Sequence, residues 1–261
     1  NANLEAFGLM TGENTNTWSG YLAAHRKRRA DFIALGATAT DHGTPTAMTA
    51  DLSQQEAEGL FARVRSTPTP AQAELFRAQM LTEMARMSID DGLVMQIHPG
   101  SARNHSDTVM GLFGKDKGFD IPTATDFVTA LRPLLSAHGT DPRLSIIIFT
   151  LDEAAYSREL APLAGVYPAL KLGPAWWFFD SPEGMRRYRE TVTETAGFYN
   201  TVGFNDDTRA FCSIPARHDV ARRVDCAYLA TLVRTGRLAE QDAHEVAHDL
   251  AYGLAKKAYR L

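Results

Sequence analysis

The chain has 261 residues, 44% hydrophobic and 22% charged, with a formal net charge of −4. That composition is ordinary for a globular protein, gives no reason to expect a nucleic-acid partner, and supplies one large domain or two small ones. No apolar stretch approaches the ~18 residues of a transmembrane helix, and two isolated cysteines, Cys212 and Cys226, exclude a disulfide framework and fit a reducing cytoplasm.

The start, NANLEAF, has no Met, so Asn1-Ala2 reads as a tag scar and the chain as a piece of something longer. Residues 1–30 are expected to form a helical lead-in, with HRKRR at 25–29 as a solvated helix face. A partial barrel domain is expected over 31–261. Five segments then read as buried strands: DFIALGATAT (31–40), GLVMQIH (92–98), LSIIIFT (144–150), ALKLGPAWWFF (169–179) and TVGFN (201–205). Their apolar runs are continuous rather than alternating, which predicts a parallel sheet covered on both faces.

Helical patterns lie between the strands. Ser53-Gln-Gln-Glu56 is a capping box, and Thr69-Pro70 supplies an N-cap and an N1 proline for the next helix. Further helices fit residues 123–139, 151–165, 181–197, 217–236 and 240–261. Gly139, Gly165, Gly197 and Gly236 stand where C′ glycines belong. Strand alternating with helix predicts an α/β fold with right-handed crossovers. No Gly-x-Gly-x-x-Gly follows a strand, and GLFGKDKG (111–118) lacks the glycine and hydroxyl residue of a P-loop.

Polar residues gather just after the strand ends: Asp41-His42-Gly43, His98 with Arg103, Asp152, Trp176-Trp177 with Asp180, and Asp206-Asp207-Thr208-Arg209. In (β/α) barrels chemistry is assembled at that rim. Taken singly, each has a bland reading. Asp41 caps a turn, His98 is a hydrogen-bonded core residue, the tryptophans are core, and Asp206-Asp207 is a charge pair at a helix N-terminus. Their coincidence at one end of successive strands carries the functional reading. An aspartate two residues from an arginine suits a divalent metal beside an anion. Arg103 and Arg209 suit a carboxylate-bearing substrate, and His98 with Asp41 can orient hydroxyls or relay protons.

Four motifs carry a family resemblance: TDHG (40–43), QIHPGSARN (96–104), LGPAWWFFDSPEGM (172–185) and DDTRAFCSIPARHDVARR (206–223). In order and spacing they resemble the uronate (glucuronate) isomerases of the amidohydrolase superfamily, from about residue 30 onward. The resemblance implies a metal-dependent (β/α)8 TIM barrel, cytoplasmic, that interconverts hexuronates. D-glucuronate is exchanged with D-fructuronate, and D-galacturonate with D-tagaturonate, by proton transfer between C2 and C1. It assigns Asp207 as a metal ligand that also moves protons, with Zn2+ or Mn2+ as the ion. His98 and Asp41 are implied to be catalytic, and Arg103, Arg209, His42 and Trp176 to bind substrate.

The departure concerns the metal. The family's first strand carries a His-x-His pair and then a tyrosine, but no two of the eight histidines here are separated by one residue. The chain therefore reads as the last five βα units of the barrel plus C-terminal helices, with an incomplete metal site. Two unpaired sheet edges would need a second copy or the missing N-terminal segment. A non-catalytic sugar-acid-binding remnant is the alternative.

One further motif is His244-Glu-Val-Ala-His248, which matches the H-E-x-x-H of zinc peptidases. A third ligand is absent: the extended form needs Gly at 251 and His at 254, and these are Ala251 and Leu254. The two histidines fall at the margin of an apolar stripe through Val246, Leu250 and Leu254, expected to pack on the barrel's outside.

Overall fold

The computed structural model describes residues 2–206 and 210–261. Two helices open the chain, α1 (Ala2–Thr11) and α2 (Trp18–Ala34), the second capped by the Thr17 hydroxyl accepting from the Gly20 N–H. Strand β1 (Ala39–Thr44) follows, then α3 (Gln54–Val64) and α4 (Pro70–Asp91). The expected capping box forms between Ser53 and Glu56, the expected N-cap Thr69 makes a second box with Gln72, and Gly92 ends α4 at φ 80°. Next come β2 (Val94–Pro99), β3 (Ser101–Ala102), α5 (Asp107–Phe113), β4 (Ile121–Pro122), α6 (Val128–His138) and β5 (Ile146–Ile148). The short α7 (Glu153–Ala155) runs through a π-helical turn into α8 (Ala161–Val166), followed by β6 (Leu170–Leu172) and α9 (Pro182–Ala196). The chain closes with α10 (Ile214–Arg234), α11 (Glu240–His248), a π-helical turn (Asp249–Gly253) and α12 (Leu254–Tyr259).

The main sheet is parallel throughout, in the order β1-β2-β5-β6. Successive side chains point to opposite faces, and both faces are covered. Met95, Ile97, Ile146, Ile148, Leu170 and Leu172 turn outward into the core shared with α4, α6, α8 and α9. Val94, Ile147 and Phe149 turn inward and pack with Val202, Trp176, Ala258 and Tyr259. Two-sided burial explains why the strands read as continuous apolar runs.

Several expectations are corrected. Asp31–Ala34 of the expected first strand are the last turn of α2, which Gly36 terminates at φ 93°; pairing begins only at Ala39. The expected domain boundary between residues 30 and 31 thus falls inside a helix. HRKRR is not wholly solvated either. Arg29 is 6% exposed, with Nε and Nη2 donating to the two Asp91 carboxylate oxygens at 2.5 and 2.9 Å, and Nη2 also to the Ser88 hydroxyl. This bidentate pair ties α2 to the end of α4. Gly139 caps α6 with φ −64°, and Gly165 lies within α8, so only Gly197 and Gly236 adopt the left-handed conformation.

The fifth expected strand makes a single bridge, Thr201 with Leu172. The ladder stops because Gly203 turns to φ 70° and Phe204 gives its N–H to the Leu250 carbonyl at 3.0 Å. That carbonyl sits in the π-helical turn at Asp249–Gly253, so the extended segment pairs with a helix instead of a strand. A Cβ on residue 203 would come within 2.5 Å of it.

The HEVAH helix behaves as its stripe predicts. Val246, Leu250 and Leu254 are buried against Leu229 of α10, while His244, Glu245 and His248 face water. The end of the chain departs from the expected outer packing. Ala258 and Tyr259 turn against the inner face of the sheet, and the Arg260 guanidinium donates to the carbonyls of Gly92 and Arg143, just before β2 and β5.

Candidate functional site

The parallel register sets Asp41 of β1 beside Gln96 of β2 and Gly43 beside His98. Asp41, Gln96 and His98 therefore project from one face near the strands' C-terminal ends. Asp41 Oδ2 and His98 Nε2 lie 2.8 Å apart. The Asp41 side chain is 57% exposed and that of His98 16%, so the carboxylate is the reachable member of the pair. Glycine is required at 43, because a Cβ there would stand 2.6 Å from His98 Cε1.

The Trp176 ring meets His98 edge-on at 5.3 Å and Phe149 at 5.8 Å between centroids. These residues, with Asn205, Asp206 and Tyr259, line a cleft of about 400 Å3. Tyr259 donates its phenolic hydroxyl to Gln96 Oε1. Burial, and then the Asp41 carboxylate, push that phenol above its ordinary range, so it stays protonated. Asp206 accepts from Arg217 Nε at 2.6 Å, and Arg217 Nη2 reaches Asp180 at 2.5 Å. One α10 arginine thus holds two strand-end carboxylates in place. Asp206 Oδ2 and Asn205 Oδ1 are buried without a hydrogen-bond partner among the described residues.

The structure thus brings Asp41, His98 and Trp176 together. Arg103 stands beside them, outside the cleft lining. Its Nη1 donates to buried Asp120 at 2.8 Å, Asn104 N–H donates to the other Asp120 oxygen, and its guanidinium stacks over Trp177 at 5.0 Å. His42 is corrected in placement. One residue along β1 from Asp41, it points to the opposite face and pairs with Thr40 at 3.1 Å. Burial, with the Arg29 guanidinium, pushes its imidazole down to about 4. Asp152, read as a rim residue, caps α7 and accepts from Thr125 N–H. Asp207 and Arg209 lie outside the described residues.

Sequence reasoning did not single out Gln96, Phe149, Asn205 or Tyr259. Gln96 carries a usable signal, two residues before His98 on the same strand and hence on the same face. Tyr259 carries none, since it reaches Gln96 across 163 residues.

Among the described residues, no group of three or more His, Cys, Asp or Glu side chains could hold a metal ion. These residues alone do not fit the divalent metal that the resemblance implies. No helix among them is long and apolar enough to cross a membrane.

Residues 2–259 match the family model for glucuronate isomerase. The uronate isomerase of Phenylobacterium zucineum is 68% identical over 261 residues, covering 100% of this chain and 54% of that protein. The Rhizobium meliloti uronate isomerase is 70% identical, covering 99% of this chain and 55% of that protein. The crystal structure of glucuronate isomerase from Caulobacter crescentus superposes with a TM-score of 0.96 at 66% identity, over 98% of this chain and 54% of that one. Uronate isomerase from Thermotoga maritima superposes at 0.92 with 26% identity, over 99% of this chain and 57% of that one. The chain spans about half the length of the relatives it matches.

Proposed function

The chain belongs to the glucuronate isomerase family, and we propose that the protein it represents interconverts hexuronate aldoses and ketoses. The substrates are D-glucuronate, giving D-fructuronate, and D-galacturonate, giving D-tagaturonate. The carrying observation is the Asp41–His98 pair facing Trp176 in one cleft at the strand ends.

The reaction moves a proton between C2 and C1 through an enediol, while a hydroxyl proton shifts in the same sense between O2 and O1. His98 occupies one Asp41 oxygen and leaves the other free toward the cleft. Asp41 can then take or return a hydroxyl proton, with His98 sharing the charge. Trp176 offers an apolar wall against which a sugar ring excludes water. Arg103 is the candidate for the substrate carboxylate, held by Asp120 and by its stacking on Trp177. By motif match, Asp207 is the metal ligand and Arg209 a second substrate contact. His42 is assigned to packing.

The architecture that suits this reading is a metal-dependent (β/α)8 barrel of which this chain supplies the later units. The outer edge of β1 pairs with no strand among the described residues. The part of the relatives that this chain does not span is the partner proposed for it, with a second copy as the other candidate.

Ketose formation from D-glucuronate, with Zn2+ or Mn2+ supplied, tests the reading on the protein extended to its relatives' full length. Activity that falls with Asp41→Asn and His98→Gln supports it; absence of any ketose overturns the substrate assignment. The second reading is a hexuronate-binding remnant without catalysis. Calorimetry separates the two: binding that ignores added metal and survives Asp207→Ala supports the remnant.

A further inference from the structure

Tyr259 approaches the cleft from the side opposite its mouth. The rim residues arrive on strand ends and their loops, whereas Tyr259 arrives on the last residue of α12. Three anchors fix it there. Its ring and Ala258 pack on Val94, Ile147 and Val202. Arg260 donates to the Gly92 and Arg143 carbonyls, and Leu261 N–H to Lys256 O at 3.0 Å. The hydroxyl then meets Gln96 Oε1.

An amide has one acceptor and two donors, and which end faces a ligand depends on what its oxygen meets. With Oε1 engaged by Tyr259, the Gln96 Nε2 donors have no partner among the described residues and remain open to the cleft beside Asp41. We propose that Tyr259 is a positioning residue. It fixes the Gln96 amide so that its N–H groups, rather than its oxygen, meet a ligand oxygen next to the Asp41–His98 pair. The cleft thereby sets a neutral donor beside a carboxylate acceptor. That combination suits the adjacent hydroxyl and carbonyl oxygens of an open-chain hydroxyaldehyde or hydroxyketone. Only the identity of the ligand rests on the hexuronate reading.

A double-mutant cycle on Tyr259→Phe and Gln96→Leu, read by calorimetry with D-glucuronate, tests this. The phenylalanine keeps the ring on Val94 and Ile147, so Tm should stay within about 2 °C of the parent. Affinity should fall about tenfold in each single variant, the usual scale for a lost oriented hydrogen bond. The double variant should be no weaker than Gln96→Leu alone, because Tyr259 acts through that amide. Additive losses, or a harmless Tyr259→Phe, would overturn the proposal. The Gln96 side-chain amide signals in 15N NMR give a readout that needs no ligand. They should shift in Tyr259→Phe, and unchanged signals refute the positioning role. If the parent protein binds no hexuronate but the signals do shift, the substrate reading falls and the positioning role stands.

Discussion

The two faces of the sheet are built from the same strands and do different work. Outward, Ile97, Ile146, Ile148 and Leu172 mesh with aliphatic helix residues, among them Leu131, Leu134 and Leu135. Inward, Val94, Ile147 and Phe149 share their face with Gln96, His98 and Tyr259. A strand alternates with period two, so one run of apolar residues feeds a dry core on one side and a polar cleft on the other. Stability and chemistry are thereby assigned to different side chains of one element, and substitutions on the two faces should separate them.

The largest effect is expected behind the outer face, where Arg189 of α9 donates twice to Asp225 of α10, at 2.6 and 3.0 Å, with both side chains largely buried. Arg189→Met leaves that carboxylate buried and unpaired, costing about 3–5 kcal/mol in urea denaturation. Ile148→Ala, fully buried in the outer core, should cost roughly 3–4 kcal/mol and leave hexuronate affinity at low temperature unchanged. A change in affinity as large as the change in stability would break the division of labour.

Acid should act outside the cleft, at α2 and β1, where burial first and Arg29 second hold His25 and His42 down at about 4. Unfolded histidines protonate near pH 6.5, so between there and pH 4 the unfolded state binds more protons. Stability should therefore fall with pH across that window, by up to about 3 kcal/mol per ring, and level off below it. His25→Phe, which retains the packing on Phe7 and Tyr21, should flatten the curve measured by thermal melting. The inner face gives the converse of Ile148→Ala. Asp41→Asn should slow ketose formation about 100-fold while moving Tm very little, since the side chain is more than half exposed. The smallest effect is at the surface: Ser53→Ala removes one capping box from α3 for about 1 kcal/mol, with kinetics untouched.

What could be read from the sequence follows the range of the forces involved. The Ser53–Glu56 capping box and the Thr69 N-cap act over three residues and were legible. The strand around Gln96 and His98 and the Ile146–Ile148 run were legible because burial on both faces imposes composition directly. The first strand was misplaced because Phe32, Ile33 and Leu35 are apolar yet exposed on and just after a helix, so their composition does not report their own burial here. The fifth was read as a full strand because nothing local shows that Phe204 will bond to Leu250. Asp41, His98 and Trp176 were singled out through strand-end position and motif, and they line one cleft. Asp-His-Gly was read as one turn, whereas its two polar side chains take opposite sides of a strand. Tyr259 depends on the path of the whole chain.

The π-helical turn at Asp249–Gly253 also acts as a phase shift. A π-helical turn adds one residue to an α-helix, and each residue advances a helix by about 100°. Winding it as an ordinary α-helix with no residue removed would rotate everything beyond it by about that angle. The Leu250 carbonyl would then be consumed inside the helix, and Phe204 would lose its acceptor. Tyr259 would swing off the sheet with its hydroxyl aimed away from Gln96. One extra residue in a surface helix therefore sets the bearing of a side chain eight positions later, inside the cleft.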